Sequence, residues 1–180
     1  MGQIRTPEPV QLFAGIISGE PQLLARTEEL LSVHWGPVSL RSEVFAFDST
    51  DYYSRDMGSP LLRLFVGFRE LIAPQDLARL KRESNELECC LAGEQTRVPR
   101  PVNIDPGYLE QSKIVLASTK NFYHRILLAD GIYGEVTMHY RAGRWCPFSW
   151  TFPDFRSGRY DTFFSELRQS YRSQLRLSES

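Results

Sequence analysis

From Val10 to Ser18 the chain reads VQLFAGIIS, a nearly unbroken apolar run. It falls well short of the roughly 20 residues a membrane helix requires. It also lacks the polar alternation of a half-exposed strand, so it reads as a strand buried within a sheet. A buried strand needs a core around it, and 180 residues are enough to build one without disulfide or metal staples. With 42% hydrophobic and 24% charged residues the composition is that of an ordinary globular domain. The expectation is one domain, 1–180, with an ordered core from about residue 9 to residue 176.

The remaining elements follow from periodicity and punctuation. Gly19-Glu20-Pro21 opens a helix whose apolar face is Leu23, Leu24, Leu30 and Leu31; it runs to His34 and stops at Gly36-Pro37. Leu40–Asp48 and Leu61–Phe68 read as strands. Pro74 starts a helix with Leu77, Leu80, Ser84, Leu87 and Leu91 on one face, ending at Gly93. Residues 94–101 form a loop and Asp105-Pro106-Gly107 a turn. Leu109, Ser112 and Leu116 share a helical face, which predicts a helix from Tyr108 to Thr119. A meander follows, Tyr123–Leu128, Ile132–Arg141 and Arg144–Thr151, with tight turns at Asp130-Gly131 and Ala142-Gly143. A last helix, Tyr160–Leu175, buries Tyr160, Phe164, Leu167 and Tyr171. This order predicts an α+β fold: a mostly antiparallel sheet with helices on one face and a ferredoxin-like element in the N-terminal half.

Several function classes lose support at once. The net charge of −1 gives no whole-molecule pull toward nucleic acid or anionic lipid. There is no signal-peptide pattern and no membrane-length apolar run, so no membrane association is expected. The three cysteines, Cys89, Cys90 and Cys146, have no C-x-x-C spacing and point to a reducing, cytoplasmic setting. P-loop, dinucleotide-binding, nucleophile-elbow and zinc-protease motifs are all missing. Of 21 basic residues only Lys81, Lys113 and Lys120 are lysines, and two of these fall between Asn103 and Glu135. Lysine kept so sparingly suggests positions that need a compact ammonium.

The runs SEVFAFDSTDYYSRDMG, SNELE, VNIDPGYLEQSKIVLASTKNFYHRILLADGIYGEVT and WTFPDFR resemble a bacterial family catalogued as domain of unknown function 4416. The resemblance extends from about Pro9 to Leu175 and is most specific from Asn103 to Thr137. It implies a bacterial source and one domain, and carries no activity with it.

The residues suggest three constellations. In the hairpin closed at Asp130-Gly131, Ala129 pairs with Ile132 and Ile126 with Glu135. Alternation then sets His124 diagonal to Glu135 and turns Arg125 to the opposite face. A histidine beside a carboxylate suits acid–base work, so His124 and Glu135 are the candidate catalytic pair. Lys113, Lys120, Asp105, Tyr108 and Arg125 are candidate ligand-binding residues. Lys113 would lie one turn inside a helix capped by Asp105, whose free N–H groups favour an anion. The expected ligand is small, anionic and phosphorylated or nucleotide-like; the competing reading of these residues is a set of surface ion pairs. Second, Glu43, Asp48 and Asp51 are the residues that would hold Mg²⁺, though Asp48 and Asp51 also suit a turn and a helix cap. Third, Arg168, Arg172 and Arg176, with Arg156 and Arg159 nearby, form a row that would track RNA phosphates or face solvent. The alternative function is a non-catalytic protein-interaction module with Tyr52, Trp145 and Trp150 as its contact surface. His34 and His139 are expected to be a helix-end and a strand residue.

Overall fold

The structure, a computed structural model, describes residues 2–50, 53–94 and 98–178. Along the chain these form β1 (Val10–Ser18), α1 (Pro21–Trp35), β2 (Val38–Arg41), β3 (Phe45–Phe47), α2 (Ser54–Met57), β4 (Leu61–Ile72), α3 (Leu77–Glu94), β5 (Val102–Leu109), β6 (Lys113–Ser118), β7 (Ile126–Ala129), β8 (Ile132–Arg141), β9 (Arg144–Pro147), α4 (Pro153–Arg156) and α5 (Asp161–Ser178). Among the described residues, nine strands make one antiparallel sheet in the order β2-β4-β1-β5-β6-β8-β7, with β3 beside β4 and β9 beside β8. No helix among the described residues is long and apolar enough to cross a membrane.

Strand β1 is central because every residue in it is buried. Leu12, Ala14 and Ile16 face one side, where Leu23, Leu24 and Leu31 of α1 and Leu80, Leu87 and Leu91 of α3 pack on them. Phe13 faces the other side, among Phe65, Phe155, Tyr160, Phe164 and Leu167. The β1-α1-β2-β4-α3-β5 portion has the strand order and the one-sided helix pair of a ferredoxin-like element. The helices expected on one face, α1 and α3, are there, and α5 covers the opposite one. The stripe expected on the last helix, Tyr160, Phe164, Leu167 and Tyr171, is fully buried.

Three elements differ from the sequence reading. Asp105-Pro106-Gly107 is not a turn; it lies inside β5, with Asp105, Pro106 and Gly107 opposite Gly15, Ala14 and Phe13. Tyr108–Thr119 is not a helix: Leu109 ends β5, and Lys113–Ser118 is β6, buried at its four central positions. The expected strand Leu40–Asp48 is also two short ones, parted where Ser42 exchanges hydrogen bonds with Phe65 (2.9 Å each).

The β5–β6 ladder is short, comprising only the Gly107–Leu116, Tyr108–Val115 and Leu109–Ile114 pairs. Below Gly107 the two strands part. Ile104 turns its N–H and C=O toward the gap, where Glu88 accepts the N–H (2.7 Å) and Lys81 donates to the C=O (2.7 Å). By antiparallel alternation the nitrogen of Pro106 faces the same gap, and it has no hydrogen to give β6. The sheet is therefore forked, and polar residues on the buried stripe of α3 replace the missing strand.

Candidate functional site

A cleft of about 450 Å³ occupies the fork. Buried groups form its floor: Arg63 from β4, Lys81 from α3, Asn103 from β5, Glu135 from β8 and Asp154 from α4. Asn85, Asp105 and Tyr53 are half-buried on its walls, while Thr119, Lys120 and Phe152 stand exposed at the rim.

The polar groups form two networks. In the first, Arg63 donates to Asp154 and, at 3.4 Å, to Asp105. Asp105 also accepts from Asn103 (2.7 Å) and Lys81 (3.4 Å). Arg100 donates to Glu88 (2.8 Å) and to the Asn103 side-chain oxygen. Burial pushes the Glu88 carboxyl up, against the opposing pull of Lys81 and Arg100. Arg63 loses hydration, which lowers its pKa, yet Asp154, Tyr160 and Asp105 outweigh that loss and hold the guanidinium above its ordinary value. The Tyr160 hydroxyl donates to Asp154 (3.1 Å), and burial raises this phenol to about 12. The Nε of Arg63 is buried without a hydrogen-bond partner among the described residues.

The second network centres on Glu135. One of its oxygens accepts from Arg125 Nε (2.8 Å) and His124 Nε2 (3.0 Å). A carboxylate can only accept here, so Nε2 carries the proton. Arg125 also donates to Ser118 Oγ and the Lys120 carbonyl, both at 3.0 Å. His124 lies flat on Trp150, with ring centres 5.5 Å apart and planes 12° apart, and Trp150 stacks on Phe148. Trp150 in turn donates to the Val136 carbonyl (3.0 Å). Both donors fall on one oxygen of Glu135, which thereby orients Arg125. His124 meets Glu135 but does not itself line the cleft.

The predicted residues separate accordingly. His124 and Glu135 do meet, and Ala129 pairs with Ile132 as expected; Ile126, however, pairs with Gly134, one residue away from Glu135. Arg125 joins Glu135 instead of facing away, because β7 starts only at Ile126 and strand alternation does not reach back to it. Asp105, Lys120, Arg125 and Glu135 all line the cleft. Lys113 and Tyr108 do not. Lys113 pairs with Glu110 (2.7 Å), and these contacts outweigh burial to hold the Glu110 carboxyl low. Tyr108 packs with Leu77, Val115 and Ile132. With no helix after Asp105, its capping role and the helix N-terminal anion site both fall away.

Glu43 is exposed, Asp48 pairs with Arg159 (3.3 Å), and Asp51 lies outside the described residues. Among those residues no group of three or more His, Cys, Asp or Glu is placed to hold a metal ion. Of the proposed contact aromatics, Trp145 is buried, Trp150 is engaged as above, and Tyr52 lies outside the described residues. Arg168, Arg172 and Arg176 do lie together around a shallow polar concavity, where Arg168 sits 3.7 Å over the Tyr140 ring.

Sequence reasoning missed Arg63, Asn85, Glu88, Arg100 and Asp154. Two signals were available: a lone arginine inside the apolar strand LLRLFVGF, and Lys81, one of three lysines, falling on the buried stripe of its helix. Asn85, Glu88, Asn103 and Asp154 all lie within the runs that carry the family resemblance.

A family model described as Domain of unknown function (DUF4416) matches residues 8–171, which include every residue of the cleft. No curated protein and no solved structure matches the chain.

Proposed function

This chain belongs to the DUF4416 family, and we propose that its forked sheet binds a small anionic ligand, phosphorylated or nucleotide-like, in the cleft between β5 and β6. One observation carries the reading: five cationic side chains, Arg63, Lys81, Arg100, Lys120 and Arg125, line a single cleft of ligand size. Arg63 and Arg125 are held in place by carboxylates, so they are oriented before any ligand arrives. The lining is mixed in sign, and Asp105, Asn85 and Asn103 suit hydroxyl or amide groups of a ligand as well as its anion. Tyr53 on the wall and Phe152 at the rim favour a planar ring. In this reading Arg125 contacts the anion, while Glu135 and His124 position it. The free thiols Cys89, Cys90 and Cys146 and the resemblance of residues 103–137 to a bacterial family support a bacterial cytoplasmic setting.

A thermal-shift screen with inorganic phosphate, nucleoside monophosphates and sugar phosphates tests this. A ligand at about 100 times its Kd adds ~2.7 kcal/mol of stability, a readily measured rise in Tm. The rise is expected to vanish in Lys120→Ala/Arg125→Ala and to persist in Lys113→Ala. No stabilising ligand, or an undiminished rise in the double variant, overturns the proposal.

A further inference from the structure

The two banks of the fork present opposite charge to whatever enters it. If the β5–β6 ladder continued in register past the Gly107–Leu116 pair, Asp105 would face Ser118, with Cα atoms roughly 5 Å apart. The strands part instead, and the cleft lies between these two residues. On the β6 bank stand Ser118, Thr119 and Lys120, with Arg125 donating to the Ser118 hydroxyl and the Lys120 carbonyl. The carboxylate of that bank, Glu135, is buried and bonded to Arg125. On the β5 bank the order is reversed. The Asp105 side chain is 24% exposed, while Arg63 and Lys81, the cations that contact it, are each 6% exposed. The Arg100 guanidinium is engaged by Glu88 and the Asn103 side-chain oxygen. A ligand in the cleft therefore meets cations on one side and a carboxylate on the other.

We infer, resting on the reading of the cleft as an anion site, that its ligand is a phosphate ester of a sugar with a vicinal diol, the phosphate on the β6 bank and the diol at Asp105. A carboxylate only accepts hydrogen bonds, so Asp105 repels the phosphate and turns it to the other bank. Asp105 is also under-used as an acceptor. Its Oδ2 accepts from Asn103 (2.7 Å) and from Arg63 (3.4 Å), but among the described residues its Oδ1 meets Lys81 alone, at 3.4 Å. With Arg63 and Lys81 already beside it, Asp105 gains little from a third cation, and a neutral O–H donor suits the open Oδ1. Asn85 lies one helical turn beyond Lys81, lines the same cleft, and has no hydrogen-bond partner among the described residues. Its amide both donates and accepts, which fits the second hydroxyl of a diol. A phosphate without the diol fills one bank only and leaves these polar groups unmatched.

Isothermal titration calorimetry on the full chain tests the inference with four probes: adenosine monophosphate, its dideoxy analogue lacking both ribose hydroxyls, ribose 5-phosphate and inorganic phosphate. Adenosine monophosphate is expected to bind at least about tenfold tighter than the dideoxy analogue, and ribose 5-phosphate at least about tenfold tighter than inorganic phosphate. Both preferences support the diol, and whichever diol-bearing probe binds tighter tells a nucleotide from a sugar phosphate. Asp105→Asn is expected to lose both preferences while binding inorganic phosphate at least as tightly as the wild type, which also shows that the variant folds. Asn85→Ala removes no hydrogen bond within the described protein and is expected to narrow the preferences as well. Equal binding with and without the diol by the wild type overturns the inference and leaves the anion site standing. Preferences undiminished in both variants overturn it too. Binding of none of the four probes overturns the anion site itself and the inference with it.

Discussion

Asp154 accepts from the Arg63 guanidinium and from the Tyr160 hydroxyl, and so joins the cleft floor to the aromatic core under α5. All three side chains are buried. Replacing one partner of such a pair strands the other's charge, whereas exchanging both for apolar groups is often tolerated. Asp154→Ala is therefore expected to cost ~3 kcal/mol in a urea unfolding titration, the low end for a broken buried pair, because Arg63 keeps its charge with only the 3.4 Å contact to Asp105 left to it. A loss below ~1 kcal/mol, the range of a surface ion pair, would show that water reaches the guanidinium. The individual site residues were partly legible in the sequence: His124, Glu135, Lys120, Asp105 and Arg125 stand in one segment, and the hairpin placed the first two near each other even though its register is one residue off and its alternation stops at Ile126. Asp154 was not legible, since its partner lies far away in the chain and nothing local marks a carboxylate beside Pro153 and Phe155 as buried.

At the level of elements, residues 105–119 show how local chemistry misleads. Asp-Pro-Gly has the composition of a turn, and Leu109, Ser112 and Leu116 have helical spacing. Both signals have other causes here. Pro106 sits where β5 loses its partner, and Gly107 is needed for close approach: a Cβ at that position would lie 2.6 Å from the Phe13 ring and 2.6 Å from the Val115 carbonyl oxygen. KIVLAS is a short strand buried at its four central positions, and short apolar runs carry no period that separates strand from helix. Gly107→Ala is consequently expected to destabilise the protein by ~1–3 kcal/mol through overpacking against rigid backbone. Gly131→Ala, at a turn position with φ +75 and open space around it, is strained by its backbone alone. Comparing Tm for the two variants separates steric crowding from conformational strain; a neutral Gly107→Ala would contradict the packing of β5 on β6. By contrast β1, α1, α3 and α5 were legible, since long periodic or unbroken apolar segments leave few alternatives.

At the scale of the whole molecule, a ferredoxin-like half is extended across β5 by a second set of strands and capped on its other face by α5. The seam between the two parts is the fork, and the cleft lies in that seam. Polar side chains from α3 and β4 complete it because the sheet leaves backbone groups there unpaired. The family match spans both parts, so the seam falls inside the unit that defines the family. The central claim, that the cleft and not the arginine row of α5 receives an anion, is tested most directly by NMR of the arginine Nε–H groups during titration with adenosine monophosphate. The account predicts that the Arg63 and Arg125 signals move together and saturate, while those of Arg168, Arg172 and Arg176 stay in place. Movement confined to the α5 arginines, or no saturable change at Arg63 and Arg125, would contradict it.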